Sequence, residues 1–170
     1  MGNKGWHRRG YLPHLDGDGI GQHVVFRLLD AVPPGSDDGD DVLDRHFGSS
    51  VLRDPRCARF VAETLLHGDG DRYALQAWCV MPNHVHVLVG TNASYELGNI
   101  VRSWKVYSTR RINDLLARSG PLWAADYFDR FIRDERHFET TKRYIENNPV
   151  AAGLCATPQE WRFCSAGWRQ

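Results

Sequence analysis

Two histidines spaced one residue apart, His84 and His86, and a tyrosine four residues ahead of an asparagine, Tyr144 and Asn148, are the side chains here whose types and spacing could carry chemistry. Residues i and i+2 of a strand share a face. His84 and His86 on a strand therefore present two imidazoles side by side, with Val85, Val87 and Val89 on the opposite face. Neutral imidazole is a common ligand for divalent ions. Residues four apart on a helix stand one turn from each other on one face, so Tyr144 offers a hydroxyl beside the hard amide oxygen of Asn148, a ligand type suited to Mg²⁺ or Mn²⁺. If that helix face crosses the histidine strand, His84, His86 and Asn148 surround one ion with Tyr144 beside it. The same residues have a plainer reading: histidines on a half-buried strand face, a tyrosine anchoring a helix, and an asparagine at its end.

The elements that must position these groups are legible in the hydrophobic pattern. Residues 22–30 form a mostly continuous β-branched and apolar run, as a central strand requires. Residues 31–50 hold Pro33-Pro34-Gly35 and the acidic run Asp37-Asp38-Gly39-Asp40-Asp41, expected to be a solvated loop with a short turn of helix, because blocks of like charge stay exposed. A helix opens at Asp54-Pro55, an N-cap with proline in the first turn. Ala58, Val61, Ala62 and Leu65 give it an apolar stripe, and residues 68–71 end it. Strands follow at 73–81 and 84–91 as a hairpin around Pro82-Asn83.

A long helix spans 95–118 with Leu97, Ile100, Val101, Trp104, Tyr107, Ile112 and Leu115 at three- and four-residue intervals, which places both Trp104 and Tyr107 in the core. Its other face carries Arg102, Lys105, Arg110, Arg111 and Arg118. The aromatic stretch 123–133 reads as irregular or short-stranded. The last helix, 135–148, stops before Pro149, since proline disfavours helix at the residue preceding it. Residues 1–21 are expected to cover the sheet as irregular structure, and the tail with Trp161 and Trp168 to fold back on the domain.

A chain of 170 residues fits a single domain, 1–170, with its core at about 20–155 and extensions at either end. The apolar runs are far too short for a membrane-spanning helix, and the start lacks an apolar signal core, so a cytoplasmic location is expected. Cys57, Cys79, Cys155 and Cys164 form no Cys-x-x-Cys pair, which indicates small core residues rather than a zinc knuckle or disulfide framework. Lys plus Arg and Asp plus Glu both total 21, so no overall basic field steers nucleic acid and any such site is a local patch. His7, His14, His23, His46, His67 and His137 have no partner at ligand spacing and are read as structural.

The run from Trp78 to Val89, with Met81-Pro82-Asn83-His84-Val85-His86 at its centre, resembles the segment that names the HUH endonucleases, where U is a hydrophobic residue. With Arg143-Tyr144-Ile145-Glu146-Asn147-Asn148-Pro149-Val150 it is similar to the single-tyrosine transposases of the IS200-like family, in particular the REP-associated branch. Arg8-Arg9-Gly10-Tyr11-Leu12-Pro13-His14, Arg102-Ser103-Trp104-Lys105 and the stretch Tyr127 to Asp134 extend the likeness over nearly the whole chain, in the expected order. Where many relatives carry Gln after a Leu-Trp or Phe-Trp pair, this chain has Leu122-Trp123-Ala124, so no polar role is implied at position 124.

The resemblance implies an α+β fold: an antiparallel, ferredoxin-like sheet of four or five strands, helices packed on one face, and the histidine motif on a central strand. It implies that His84 and His86 are metal ligands with Asn148 the third, that the ion is Mg²⁺ or Mn²⁺, and that Tyr144 is the nucleophile. Such an enzyme cleaves and rejoins single-stranded or hairpin DNA through a 5′-phosphotyrosine, acting as a monomer or homodimer. Phosphate contacts are expected from Arg102, Lys105, Arg110 and Arg111, with Trp104 or Tyr107 available for base stacking. Two other readings stand beside it. A histidine-triad nucleotide hydrolase needs a third alternating histidine where this chain has Leu88. A non-catalytic, domesticated module would hold structured DNA or RNA without cutting it.

Overall fold

The computed structural model describes residues 5–9, 12–16, 21–36, 39–91 and 94–169, the first two segments as backbone. Its centre is a four-stranded antiparallel sheet of β3 (Gly21–Arg27), β4 (Tyr73–Val80), β5 (His84–Thr91) and β6 (Phe128–Phe131), in the order β4-β5-β3-β6. Helix α2 (Pro55–His67) joins β3 to β4, and α3 (Leu97–Leu116) joins β5 to β6. That is the split β-α-β arrangement of a ferredoxin-like domain, with β5 and its two histidines in an interior position.

Period-2 alternation on β5 divides the core in two. Val85, Val87 and Val89 point to the face covered by α2 and α3, and they pack with Phe26, Val61, Leu65, Ile100, Val101 and Trp104. His84, His86 and Leu88 point the other way, where Leu88, Cys79 and Met81 meet Ile145 of α4 (Glu135–Ala151) and Cys164 of the tail. Helices therefore cover both faces, not one: α2 and α3 take the valine face, and α4 with the tail takes the histidine face. The apolar stripes of α2 and α3 fill one side, and the fully buried Ile145 anchors α4 to the other.

Local chemistry fixes the ends. Asp54 accepts a hydrogen bond from the Arg56 backbone N–H and caps α2, with Pro55 in its first turn. At the other end an added Cβ on Gly68 would lie 2.6 Å from the Tyr73 ring, so only glycine lets β4 start there. Tyr73 donates from its hydroxyl to the Leu65 carbonyl (2.6 Å) and accepts from the Trp104 indole (2.9 Å), tying α2, β4 and α3 together.

Three expectations shift. Helix α4 does not stop at Asn148 but runs through Pro149 to Ala151. Asn148 and Pro149 are both buried against the sheet, and the stop is a Schellman motif in which Gly153, at φ +71°, lets the Leu154 N–H reach the Pro149 carbonyl and its own N–H reach Val150. One missing backbone donor in the last turn costs less than unpacking that turn. Tyr107 is half exposed while Trp104 is buried, so only the latter is core. The amino-terminal region is not irregular where described: β1 (Gly5–Arg9) and β2 (Leu12–Asp16) pair as an antiparallel ribbon, while Gly10 and Tyr11 lie outside the described residues. The tail does fold back, with the Trp161 indole on the Val80 carbonyl (3.0 Å) and Trp168 against Trp78. All four cysteines are free, three of them buried. No helix among the described residues is long and apolar enough to cross a membrane.

Candidate active site

Strand β5 brings His84 and His86 together, and α4 sets Tyr144 against the His86 ring, with Asn148 one turn further along the same helix. His84 and His86 are fully buried and their Nε2 atoms lie 3.1 Å apart. Ligands at about 2.1 Å on adjacent vertices of one ion stand about this far from each other. Two hydrogen bonds occupy the opposite ring nitrogens. His84 Nδ1 is 2.8 Å from Asn83 Oδ1, an acceptor, so that nitrogen carries the proton and Nε2 keeps its lone pair. His86 Nδ1 is 3.1 Å from His23 Nε2.

Asn148, one turn beyond Tyr144 on α4, is buried, and its Oδ1 has no hydrogen-bond partner among the described residues. A buried carbonyl left unpaired costs stability, and a cation is one way to satisfy it. Among the described residues no three His, Cys, Asp or Glu side chains converge as ligands. Two imidazoles with an amide oxygen would suit a hard, water-retaining cation better than a closed zinc site.

Burial, with the neighbouring His86 and His46, holds His84 well below the ordinary histidine range, and burial brings His86 down to about 3. Both rings are neutral near pH 7, the form a ligand needs. His84 Nε2 also lies 3.8 Å from Asp44 Oδ1, but a neutral imidazole makes this a contact rather than an ion pair. Burial and the carboxylates of Asp40 and Asp41 raise Asp44 to about 6.

Tyr144 stands at the rim, part exposed, with its ring edge-on to His86 at 5.7 Å and to His23 at 6.0 Å. Its hydroxyl donates to the Asp40 carboxylate. Burial, that hydrogen bond and the charges of Asp40, Asp44 and Asp41 hold its proton more tightly than usual.

Two features of this site escape the sequence reading. His23, read as structural, stacks on His86 at 5.3 Å because the β3–β5 register sets Val25 opposite His86 and leaves His23 diagonal to it on the same face. The acidic run reads as solvated, yet Asp40 and Asp44 turn inward on the single-turn helix α1 (Asp40–Leu43) and the residue after it; Asp37 and Asp38 lie outside the described residues. Buried Leu43 anchors that turn, and its spacing of three residues from Asp40 is the signal the sequence offers.

The cationic row of α3 divides. Arg102 and Arg110 line an open, largely apolar groove of about 700 Å³ between α3 and residues 121–127. Lys105 also lines that groove, but its ammonium is already engaged: it donates to the carbonyls of Ala124 (2.9 Å), Ala125 (3.3 Å) and Asp126 (2.8 Å), using all three protons. Arg111 lies over the Phe60 ring at 4.3 Å and donates to the Tyr107 hydroxyl. The backbone carbonyl at Ala124 is thus engaged whatever side chain stands there.

Among solved structures, the fold is similar to that of a REP-associated tyrosine transposase bound to a REP hairpin, at 16% identity and TM-score 0.59, over 94% of this chain and 81% of that one. A candidate transposase from Deinococcus radiodurans R1 matches at 22% identity and TM-score 0.43, over 84% of this chain and 96% of that one. No curated protein matches the chain. The family described as "Transposase IS200 like" matches residues 55–148, the stretch from α2 through the histidine strand to Asn148, and the chain belongs to that family.

Proposed function

We propose that this protein is a metal-dependent, single-tyrosine DNA strand transferase of the REP-associated kind, cleaving and rejoining single-stranded DNA at hairpin-forming repeats. The observation that supports the reading is the approach of His84 Nε2 and His86 Nε2 to 3.1 Å beside the Tyr144 ring, on a helix that carries the buried Asn148, without a hydrogen-bond partner for Oδ1 among the described residues, one turn further on. His84, His86 and Asn148 would hold Mg²⁺ or Mn²⁺, which when bound supplies Lewis acidity at a non-bridging phosphate oxygen. The hairpin preference is carried over from the structural relative, which was solved with a REP hairpin.

Tyr144 Oη attacks the phosphorus in line. The new Oη–P bond replaces the P–O3′ bond, the 5′ phosphate stays on the tyrosine, and the 3′ oxygen leaves and takes a proton from solvent. Because the phosphotyrosine keeps a phosphodiester-like bond, another 3′ hydroxyl can reverse the step without ATP. Arg102 and Arg110 hold backbone phosphates along the α3 groove, and the exposed Tyr107 ring is available to stack on a base.

The test is incubation with hairpin-bearing single-stranded DNA and Mn²⁺, followed by denaturing electrophoresis. A covalent protein–DNA adduct mapped by peptide mass to Tyr144 is expected. Tight binding to the hairpin with no adduct would instead favour the non-catalytic binding module.

A further inference from the structure

The Tyr144 hydroxyl donates to the Asp40 carboxylate, a contact between α4 and a segment over one hundred residues earlier in the chain. The way Asp40 is held makes this contact a built feature. Helix α1 is a single turn following Gly39, closed by the Asp44 N–H on the Asp40 carbonyl (2.8 Å). Leu43 is 1% exposed and fastens the turn to the domain. Residues three apart share a helix face, so the buried Leu43 aims Asp40 inward, while Asp41 faces solvent. Asp40 and His23 also line one cavity of about 650 Å³ with Ala124–Phe128, giving a strand room to approach the tyrosine from that side.

A phenol is a poor nucleophile until its proton leaves, and the Tyr144 hydroxyl already points that proton at a carboxylate. The proton must leave as the P–O bond forms, when the acidity of the oxygen rises steeply, and it must go to a base already in hydrogen-bond contact. Asp40 is that contact.

We propose that Asp40 is a catalytic residue, the proton acceptor for Tyr144 in strand cleavage and the donor that returns the proton in strand joining. The inference rests on the strand-transfer reading above. In cleavage the Oη–H proton passes to the Asp40 carboxylate, the Oη electron pair forms the bond to phosphorus, and the P–O3′ pair leaves with the 3′ oxygen, which is protonated by solvent. In joining, an incoming 3′ hydroxyl loses its proton to solvent, attacks the phosphorus, and the departing Oη takes its proton back from Asp40. Protons and charge balance in each direction with no further co-reactant.

The experiment compares the parent protein with Asp40→Asn, alone and with 3,5-difluorotyrosine at position 144. Asparagine keeps an oxygen for the hydroxyl to contact but cannot accept its proton. Cleavage of hairpin-bearing single-stranded DNA in Mn²⁺ is expected to fall on the order of 10²–10⁴-fold, with DNA affinity and melting temperature kept. The more acidic fluorinated phenol needs the base less and is expected to restore most of the missing rate in the Asp40→Asn background. Parent-like or faster cleavage by Asp40→Asn would overturn the proposal and mark Asp40 as a restraint on the tyrosine. A loss of rate that the fluorinated residue does not relieve, or that accompanies loss of folding or DNA binding, would also overturn it, because the carboxylate would then only hold the ring. No adduct from the parent protein on any strand overturns the strand-transfer reading and this inference with it, so the two failures are distinguishable.

Discussion

His23 Nε2 lies 3.1 Å from His86 Nδ1, joining two neighbouring strands of the sheet through their side chains. For His86 Nε2 to keep a lone pair facing His84 Nε2, the proton of His86 must sit on Nδ1 and be donated to His23. A ring held this way is oriented and more basic toward an ion, and removing such an outer partner typically costs about 10–100-fold in metal affinity. His23→Leu is expected to weaken Mn²⁺ binding, measured by titration calorimetry, by that factor. His23→Gln, which keeps an acceptor, should recover part of it. Equal affinity in all three proteins would show that His86 is oriented by its packing alone.

Asn83 makes the corresponding contact for His84, and the sequence carries it in plain view as the neighbour of the first histidine. Its counterpart His23 is sixty-three residues away from His86, and nothing in the periodicity of residues 22–30 gives the register that joins them. The same holds for the rest of the site. His84 with His86 and Tyr144 with Asn148 stand out in the sequence because each pair is local, strand spacing for one and helix spacing for the other, while their roles come from the family resemblance. Asp40 and Asp44 are not, because a run of aspartates reads as solvated unless the burial of Leu43 is known. For the fold, strands and helices follow from pattern, while the face chosen by α4 does not. One buried residue, Ile145, with Asn148 and Pro149 beyond it, decides that face by packing.

The assignment of the nucleophile is tested by Tyr144→Phe, which removes one hydroxyl and almost no volume. The ring contacts with His86 and His23 should survive, and with them the fold and metal binding. The variant is expected to bind hairpin DNA with parent-like affinity and to form no covalent adduct in a denaturing gel. An adduct that persists would move the nucleophile to another residue.

His84→Ala with His86→Ala is expected to abolish Mn²⁺ binding and cleavage together, and EDTA should do the same to the parent protein. Asn148→Leu should keep the fold, because it removes a buried oxygen that has no partner among the described residues. It should still weaken the ion by about tenfold or more as read by the same titration. Undiminished cleavage in EDTA would end the metal reading.

Lys105 and Arg110 share a helix but are expected to respond differently. Lys105→Met removes an ammonium that caps three carbonyls of residues 124–126, and burial already brings it down to about 8 while leaving it protonated at neutral pH. The substitution should cost about 2 kcal/mol or more in urea denaturation. Arg110→Ala should change stability by about 0.5 kcal/mol or less, while reducing the slope of log K against log salt for single-stranded DNA by about 0.7 for each phosphate it no longer neutralises. A parent-like salt slope after both Arg102→Ala and Arg110→Ala would place the DNA path off the α3 groove.

The buried imidazoles also fix how stability of the metal-free protein depends on pH. His23 and His86 are brought down to about 3 by burial, with His86 adding to the effect on His23, and His84 is held well below the usual range. In the unfolded chain all three titrate near ~6.5. The folded state therefore binds fewer protons than the unfolded state between about pH 6.5 and 3, and stability that is complete above about pH 6.5 is lost as pH falls through that window. Asp44 works in the opposite sense: raised to about 6 when folded, it takes up a proton before the unfolded chain does, so acidification from about pH 6 to about 4 favours the fold at that one site. The histidines outweigh the one aspartate, so unfolding near pH 5 takes up protons and stability falls as the pH is lowered. Urea midpoints measured in EDTA at pH 7, 6 and 5 should fall accordingly, and His23→Leu should make the decline shallower by about one proton. A midpoint independent of pH over that range would mean that these rings are not held neutral, and with that the case for three buried imidazoles poised around one site would fail.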